Sequence, residues 1–268
     1  MLTGPALLFC PADRPERYDK AAACADVVIV DLEDAVARSR KDEARSALVA
    51  SSLDPARTVV RINGATTADH RRDLEALSQT AYRRVMLPKT ETPDQVSRLI
   101  GHEVIALIES GAGMLALAEI AMAPNLAGLM IGSEDLIVSL GGRSSRQDDG
   151  TNRGVVNVAR SQVLFAASAA GVPAIDSVYV DIRDSEGLRA ESEDAAASGF
   201  AGKACIHPRQ VEQVRLGFRP SPEDLEWARR VLLAAVSETG AFQFDGALVD
   251  EPVLRQAELI LARVPQGE

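Results

Sequence analysis

What limits the fold most is a rhythm. Short apolar runs recur along the chain, each closing on polar, glycine or proline residues and giving way to a helical stretch. Eight can be read: ALLFCPA, DVVIVDLEDA, RTVVRING, YRRVMLPKT, EVIALIES, LAGLMIGSED, VPAIDSVYVD and AGKACIHP. Most are apolar at consecutive positions instead of alternating, which is how strands buried on both faces read. Amphipathic stretches such as RKDEARSALVASSL and VNVARSQVLFAASAAG lie between them. Eight strands alternating with helices predict an α/β fold, a TIM-type (β/α)8 barrel, with an open doubly wound sheet as the alternative. A chain of 268 residues with 4% aromatics suits one such barrel, filled by small and branched side chains.

Two places break the rhythm. Between the sixth and seventh runs, residues 141–154 (GGRSSRQDDGTNRG) are polar and glycine-rich, which predicts a mobile loop above the barrel. After the eighth run come two further helical stretches, 222–238 and about 250–264, joined by TGAFQFDGALVDEP. The expected organisation is a barrel over 1–220 and a C-terminal helical extension over 221–268, placed to cover a barrel end or to pack on a neighbouring subunit.

Composition removes several classes of function. A net charge of -10 with no Lys/Arg run speaks against nucleic-acid or anionic-membrane partners. Small anionic substrates stay open, because a few local cations override a global sign. Cys10, Cys24 and Cys205 are odd in number and far apart, which argues against a disulfide framework and fits a reducing cytoplasm. The start, MLTGPALLFCPADRP, lacks the pattern of a secretory leader, and no apolar run nears the ~20 residues that span a bilayer.

In such a barrel the carboxyl ends of the strands carry the chemistry. Those ends offer Asp31, Glu33 and Asp34 in VDLEDAV, Arg61 and Asn63 in RING, and Lys89 in PK. Further along come Glu109, the Glu134–Asp135 pair, Asp176, and His207 in IHP. Acids outnumber bases there, and acids crowded into a partly dry site cannot all ionise unless a cation joins them. Glu109 and Asp135, from adjacent strand ends, supply two hard oxygen ligands. That suits Mg2+, which takes one or two carboxylates and completes its octahedron with water or substrate oxygens. Zinc would need Cys10, Cys205 and His207 to converge across the seam of strands one and eight. Glu33 and Asp34 serve equally well as direct or supporting groups, and each acid also has a bland role as a helix cap or ion-pair partner. Gly111 and Gly113 precede one helix and Gly132 and Ser133 another, so backbone N–H groups there could receive a carboxylate. Together with the ion, this describes a chelated 2-keto or 2-hydroxy acid.

Taken in order, LLFCPADRPERYDKA, VIVDLEDAV, RING, MLPK, IESGAG, IGSEDL, PAIDSVYVD and GKACIHPRQ resemble the citrate lyase β-subunit family, whose relatives include malyl-CoA and citramalyl-CoA lyases. The resemblance runs from Leu7 to about Leu261 and is closest to stand-alone members. It implies Mg2+-dependent cleavage or formation of a carbon–carbon bond between an acyl-CoA thioester and a 2-keto acid, in a homo-oligomer, often a trimer. The implied metal ligands are Glu109 and Asp135, with Glu109 also at the substrate. Arg61 would hold the keto acid oxygen and the developing enolate. Phe9, Arg14 and Lys20 would meet the CoA moiety, and Ile206 would lie near the thioester. Where relatives carry PG after the first strand, this chain has Pro11–Ala12. The closing GALVDEPVLRQAELIL implies Asp250 as acid/base, a residue that also suits the N-cap of the last helix. The other readings are an aldolase acting on free aldehydes without CoA, a subunit of a larger citrate lyase assembly, and a lyase with a further thioester-hydrolysing, malate-synthase-like step.

Overall fold

Each of the predicted apolar runs becomes a strand in the computed structural model, which describes residues 3–238 and 240–263. The strands are β1 (Ala6–Pro11), β2 (Val27–Asp31), β3 (Thr58–Arg61), β4 (Arg84–Leu87), β5 (Glu103–Ile108), β6 (Leu126–Ile131), β7 (Ala174–Asp176) and β8 (Gly202–Cys205). Each pairs in parallel with the next, and β8 returns to β1 with Ala6 opposite Lys203. The result is a closed barrel, as the rhythm predicted. Between strands run α1 (Tyr18–Cys24), α2 (Lys41–Val49), α3 (Ala68–Leu77), α4 (Pro93–Ser97), α5 (Gly111–Leu115), α6 (Leu117–Ile120), α7 (Ser133–Ser139), α8 (Gly154–Ala170) and α9 (Ser185–Ser198). Strand β8 is followed by α10 (Pro208–Phe218).

One apolar cluster fills the barrel: Leu7, Val27, Ile29, Val59, Met86, Ile105, Leu107, Met130, Ile175 and Ala204. Side chains alternate along a strand, so residues two apart share a face. Continuing each interior series one step beyond the core gives Phe9 after Leu7, Asp31 after Ile29 and Arg61 after Val59. It also gives Glu109 after Leu107 and Gly132 after Met130. The same alternation that fills the core therefore delivers an arginine and two acids to its carboxyl-end mouth.

The chain divides into two compact units, Met1–Arg215 and Leu216–Glu268. The second holds α11 (Pro222–Ala235), a hairpin of β9 (Phe242–Phe244) and β10 (Ala247–Val249), and α12 (Glu251–Ala262). The segment joining the two helices thus contains a hairpin. Asp245 and Gly246 both adopt positive φ, 48° and 83°, the two-residue turn that Asp-Gly favours. Ala228, Val231, Val249 and Ala257 form this unit's own buried cluster.

Residues 141–154 are not left free. Arg146 bridges to Asn152, pairs with Glu191 at 2.6 Å and lies 4.2 Å from the centre of the Tyr179 ring, while Ser145 donates to Glu134 at 2.5 Å. Long-range partners thus hold Ser145 and Arg146 of this polar segment.

Candidate active site at the barrel mouth

Arg61 is braced from several sides. Its Nε and Nη2 donate to the two oxygens of Asp31 at 2.7 and 2.6 Å. Nη1 lies 3.2 Å from Glu33 Oε2, an ion pair whose geometry misses hydrogen-bond alignment. The Phe9 ring lies 4.7 Å below the guanidinium, a cation–π contact. Asp31 is itself saturated, because its oxygens also accept the backbone N–H groups of Glu33 and Ala35. Fully buried and fully bonded, Asp31 aims the arginine.

Glu109 is 97% hidden from solvent, at 3% exposure. Its Oε1 accepts the backbone N–H of Lys89 at 2.8 Å. Its other oxygen accepts no hydrogen bond from the described residues. Burial, then the negative charges of Asp135 and Glu33, push this carboxyl up to about 8. Asp135, in the first turn of α7, makes no hydrogen bond or salt bridge among the described residues. Neither of these two neighbouring carboxylates is directly paired with a side-chain cation among the described residues, and one of them is buried. That deficit is what a divalent cation relieves. No group of three His, Cys, Asp or Glu able to hold a metal occurs among the described residues, so the zinc alternative of Cys10, Cys205 and His207 falls away. A two-carboxylate site suits Mg2+.

Gly132 makes the arrangement possible. A Cβ on it would stand 2.7 Å from Glu109 Oε2, so only a glycine lets β6 pass this close to the acid. Lys89 closes the near side: its Nζ donates to Glu33 Oε1 at 2.5 Å and to Asp34 Oδ2 at 3.4 Å. Burial pushes the Glu33 carboxyl up, with Arg61 and Lys89 pulling against it. Asp34 is exposed at the rim.

Other predicted residues are placed differently. Asp176 does not face the mouth, because Ile175 does. Asp176 points outward and is bound by Arg160 at 2.9 Å and Lys203 at 2.8 Å, both buried. At the start of α5, Gly113 donates to Ser110 Oγ and Gly111 to Ser139 Oγ. The start of α7 has no side-chain cap. Arg14 and Lys20 are exposed, on and after the β1 exit. Ile206 is 39% exposed beyond β8, with its N–H held by Gln210 Oε1. His207 accepts the Arg209 N–H, a fixing role. Asp250, in the second unit, takes the N-cap position of α12 in extended backbone. Its carboxylate makes no capping bond, hydrogen bond or ion pair among the described residues.

Sequence reasoning missed the buried web behind Arg61. Lys41 Nζ donates to Leu32 O, Glu33 O and Asn63 Oδ1, and Asn63 in turn bonds Asp73, which pairs with Arg45. It also missed Gln210, whose amide ties the β8 exit to Tyr179 O. A helix-borne lysine or glutamine carries no local mark of such a partner. Only the strand-end residues had a positional signal.

Known proteins share this architecture. A citrate lyase subunit beta-like protein of Mycobacterium tuberculosis is 58% identical over 264 residues, covering 98% of this chain and 97% of that one. The mitochondrial citramalyl-CoA lyase of Homo sapiens is 33% identical, covering 94% of this chain and 83% of its own. A crystal structure of CitE from Mycobacterium tuberculosis with magnesium, acetoacetate and coenzyme A superposes with a TM-score of 0.95 at 57% identity, over 97% of this chain and 98% of that one. Residues 6–208, the barrel with its ordered set of strand-end groups, match the HpcH/HpaI aldolase/citrate lyase family, and the chain belongs to it.

Proposed function

We propose that this chain is a Mg2+-dependent carbon–carbon lyase or synthase acting on a 3-hydroxyacyl-CoA thioester of the malyl-, citramalyl- or citryl-CoA type. It would release or condense acetyl-CoA, or a related acyl-CoA, and a 2-keto acid such as glyoxylate, pyruvate or oxaloacetate. The observation that carries the reading is the unpaired Glu109–Asp135 couple next to an arginine braced in advance. The names of the human relative and the ligands of the mycobacterial structure support the substrate class.

Glu109 and Asp135 would hold the ion, leaving coordination positions for water and the keto acid. When bound, the ion supplies Lewis acidity toward the keto acid oxygen. Arg61 stands ready for negative charge that grows as the carbon–carbon bond breaks. Asp31, Glu33 and Phe9 keep it from reorienting, so its stabilisation costs little reorganisation. Glu33 and Asp34 support it through Lys89. Asp250, with its carboxylate unengaged, would give a proton to the acetyl carbon in cleavage and remove it in condensation, in its own or a neighbouring subunit's mouth. Arg14, Lys20, Phe9 and Ile206 are the proposed contacts for the CoA portion. The assembly is proposed as a homotrimer in the cytoplasm.

Incubating the purified chain with a panel of CoA thioesters, with and without Mg2+, and identifying products by mass spectrometry tests the reading. Mg2+-dependent release of a keto acid from at least one thioester is expected. Free CoA among the products would add the hydrolytic step. Turnover of free aldehydes without CoA would favour the aldolase, and no turnover of any thioester would favour a subunit of a larger assembly. Light scattering tests the trimer.

A further inference from the structure

Lys89 sits in a backbone conformation that lysine resists. Its φ of 51° is left-handed, and among described non-glycine residues only Asp245, in the hairpin turn, shares that region. Glycine would adopt it freely. Strain of this kind persists where the surroundings need the residue, and it clusters at functional sites. Here both ends of Lys89 are used. The main-chain N–H fixes Glu109 Oε1 at 2.8 Å, which leaves the other oxygen of Glu109 free. The ammonium fixes Glu33 Oε1 at 2.5 Å, and the far oxygen of Glu33 lies 3.2 Å from Arg61 Nη1. One residue thereby joins the carboxylate side of the mouth to the arginine side.

We propose that Lys89 is a positioning residue for the keto acid: its backbone sets Glu109, and its ammonium shares Glu33 so that Arg61 keeps donors for substrate. This rests on the metal-dependent reading above. The charge arrangement shows why the ammonium is needed. Glu33 is buried and has two cationic neighbours, Lys89 and Arg61. Without Lys89, Arg61 alone must neutralise both Asp31 and Glu33, and its remaining N–H groups turn toward them. Counted formally with every group ionised, Asp31, Glu33, Asp34, Glu109 and Asp135 against Arg61 and Lys89 leave three negative charges, two of which a divalent ion would balance. Removing the ammonium spoils that balance on the arginine side and leaves the main-chain bond to Glu109 intact.

The test uses Lys89→Gly, which suits the left-handed backbone and keeps the N–H, beside Lys89→Arg. Calorimetry reads Mg2+ binding and then 2-keto acid binding to the Mg2+ form, and the thioester assay reads kcat and KM. Wild-type binding of Mg2+ and keto acid checks the underlying reading independently, since its absence would refute that reading whatever the variants do. In Lys89→Gly, Mg2+ affinity should stay within about threefold of wild type. Keto acid affinity should fall about 10- to 100-fold, the range for losing a charged hydrogen bond. Lys89→Arg or added ethylammonium should restore part of that loss. Wild-type keto acid affinity in Lys89→Gly would overturn the proposal. So would a parallel loss of Mg2+ and keto acid binding that neither the arginine nor the amine restores, because that pattern marks a residue that only holds the fold.

Discussion

Substituting Gly132 by alanine isolates the geometry on which the carboxylate pair depends. The glycine has φ -109° and ψ 89°, a conformation alanine accepts, so the substitution brings no backbone strain of its own. The added methyl would stand 2.7 Å from both Cβ and Oε2 of Glu109, and 3.3 Å from Leu107 Cδ1. Carbon atoms rest about 3.5–4.0 Å apart, so the gap must open by about 0.8 Å. Glu109 cannot simply swing aside, because its Cβ is fixed by β5 and its Oε1 by the Lys89 N–H. Either β5 and β6 separate or the carboxylate abandons that hydrogen bond. Overpacking of this kind costs about 1–3 kcal/mol, which for a chain of this size lowers the melting temperature by roughly 2–12 °C. Displacing one of the two proposed ligands should weaken Mg2+ binding by about 10- to 100-fold, equivalent to about 1.4–2.7 kcal/mol. Titration calorimetry and thermal melts with and without Mg2+ measure both. Gly154→Ala is the control: an added Cβ meets nothing within 4 Å, and it should leave both quantities nearly unchanged. Wild-type Mg2+ affinity and melting temperature in Gly132→Ala would refute the argument that this glycine exists to admit Glu109.

The Glu109 carboxyl, raised to about 8 from an ordinary 4.5, holds its proton more tightly in the folded than in the unfolded protein. Its contribution to stability is therefore full below about pH 4.5 and lost as pH rises through about 8. Melts of the ion-free protein should show this decline. Mg2+ affinity should rise about tenfold per pH unit up to about pH 8 and then level off, and a flat profile from about pH 6 to 9 would contradict it. Lys203→Met removes a fully buried cation from Asp176 and Glu191 and should cost about 3–5 kcal/mol by urea denaturation. A loss below about 1 kcal/mol would show that Arg160 and Arg146 suffice. Asp250→Asn should leave stability within about 0.5 kcal/mol, since no capping bond is lost, while stopping solvent exchange of the acetyl-CoA methyl protons observed by NMR. Retained exchange would remove Asp250 from the mechanism.

The barrel was legible because its evidence is local. A strand buried on both faces must be apolar at successive positions, and no partner is needed to see that in DVVIVDLEDA or EVIALIES. The fate of each strand-end acid was legible only through parity. Leu107 faces inward, so Glu109 does too, whereas Ile175 faces inward and sends Asp176 the other way. Reading VPAIDSVYVD by parity would have moved Asp176 outside. Its partners would have stayed hidden, because Lys203 and Arg160 lie 27 and 16 positions away. Glu134 and Glu191, which hold Ser145 and Arg146, likewise lie outside the stretch 141–154 whose composition signals mobility. The Asp245–Gly246 turn, by contrast, carries its hairpin signal locally, in the Asp-Gly pair itself.

Burial alone does not separate a structural acid from a ligand, and Asp176 and Glu109 demonstrate it. Both are buried, and desolvation by itself would raise either carboxyl. At Asp176 the charges of Lys203 and Arg160 overcome burial and hold the group below its ordinary value, so folding has already supplied its counterions. At Glu109 the nearest strong influence after burial is another acid, and the value goes up. The protein could have answered that repulsion with a lysine or arginine of its own, as it does two strands away. It supplies only a backbone N–H and the more distant charge of Lys89, too little to overcome burial, and Asp135 makes no hydrogen bond or ion pair among the described residues. A carboxylate pair that folding leaves uncompensated needs a cation from outside. The saturated Asp31 and braced Arg61 beside it show that the omission is confined to the place where an ion and an oxoacid would sit.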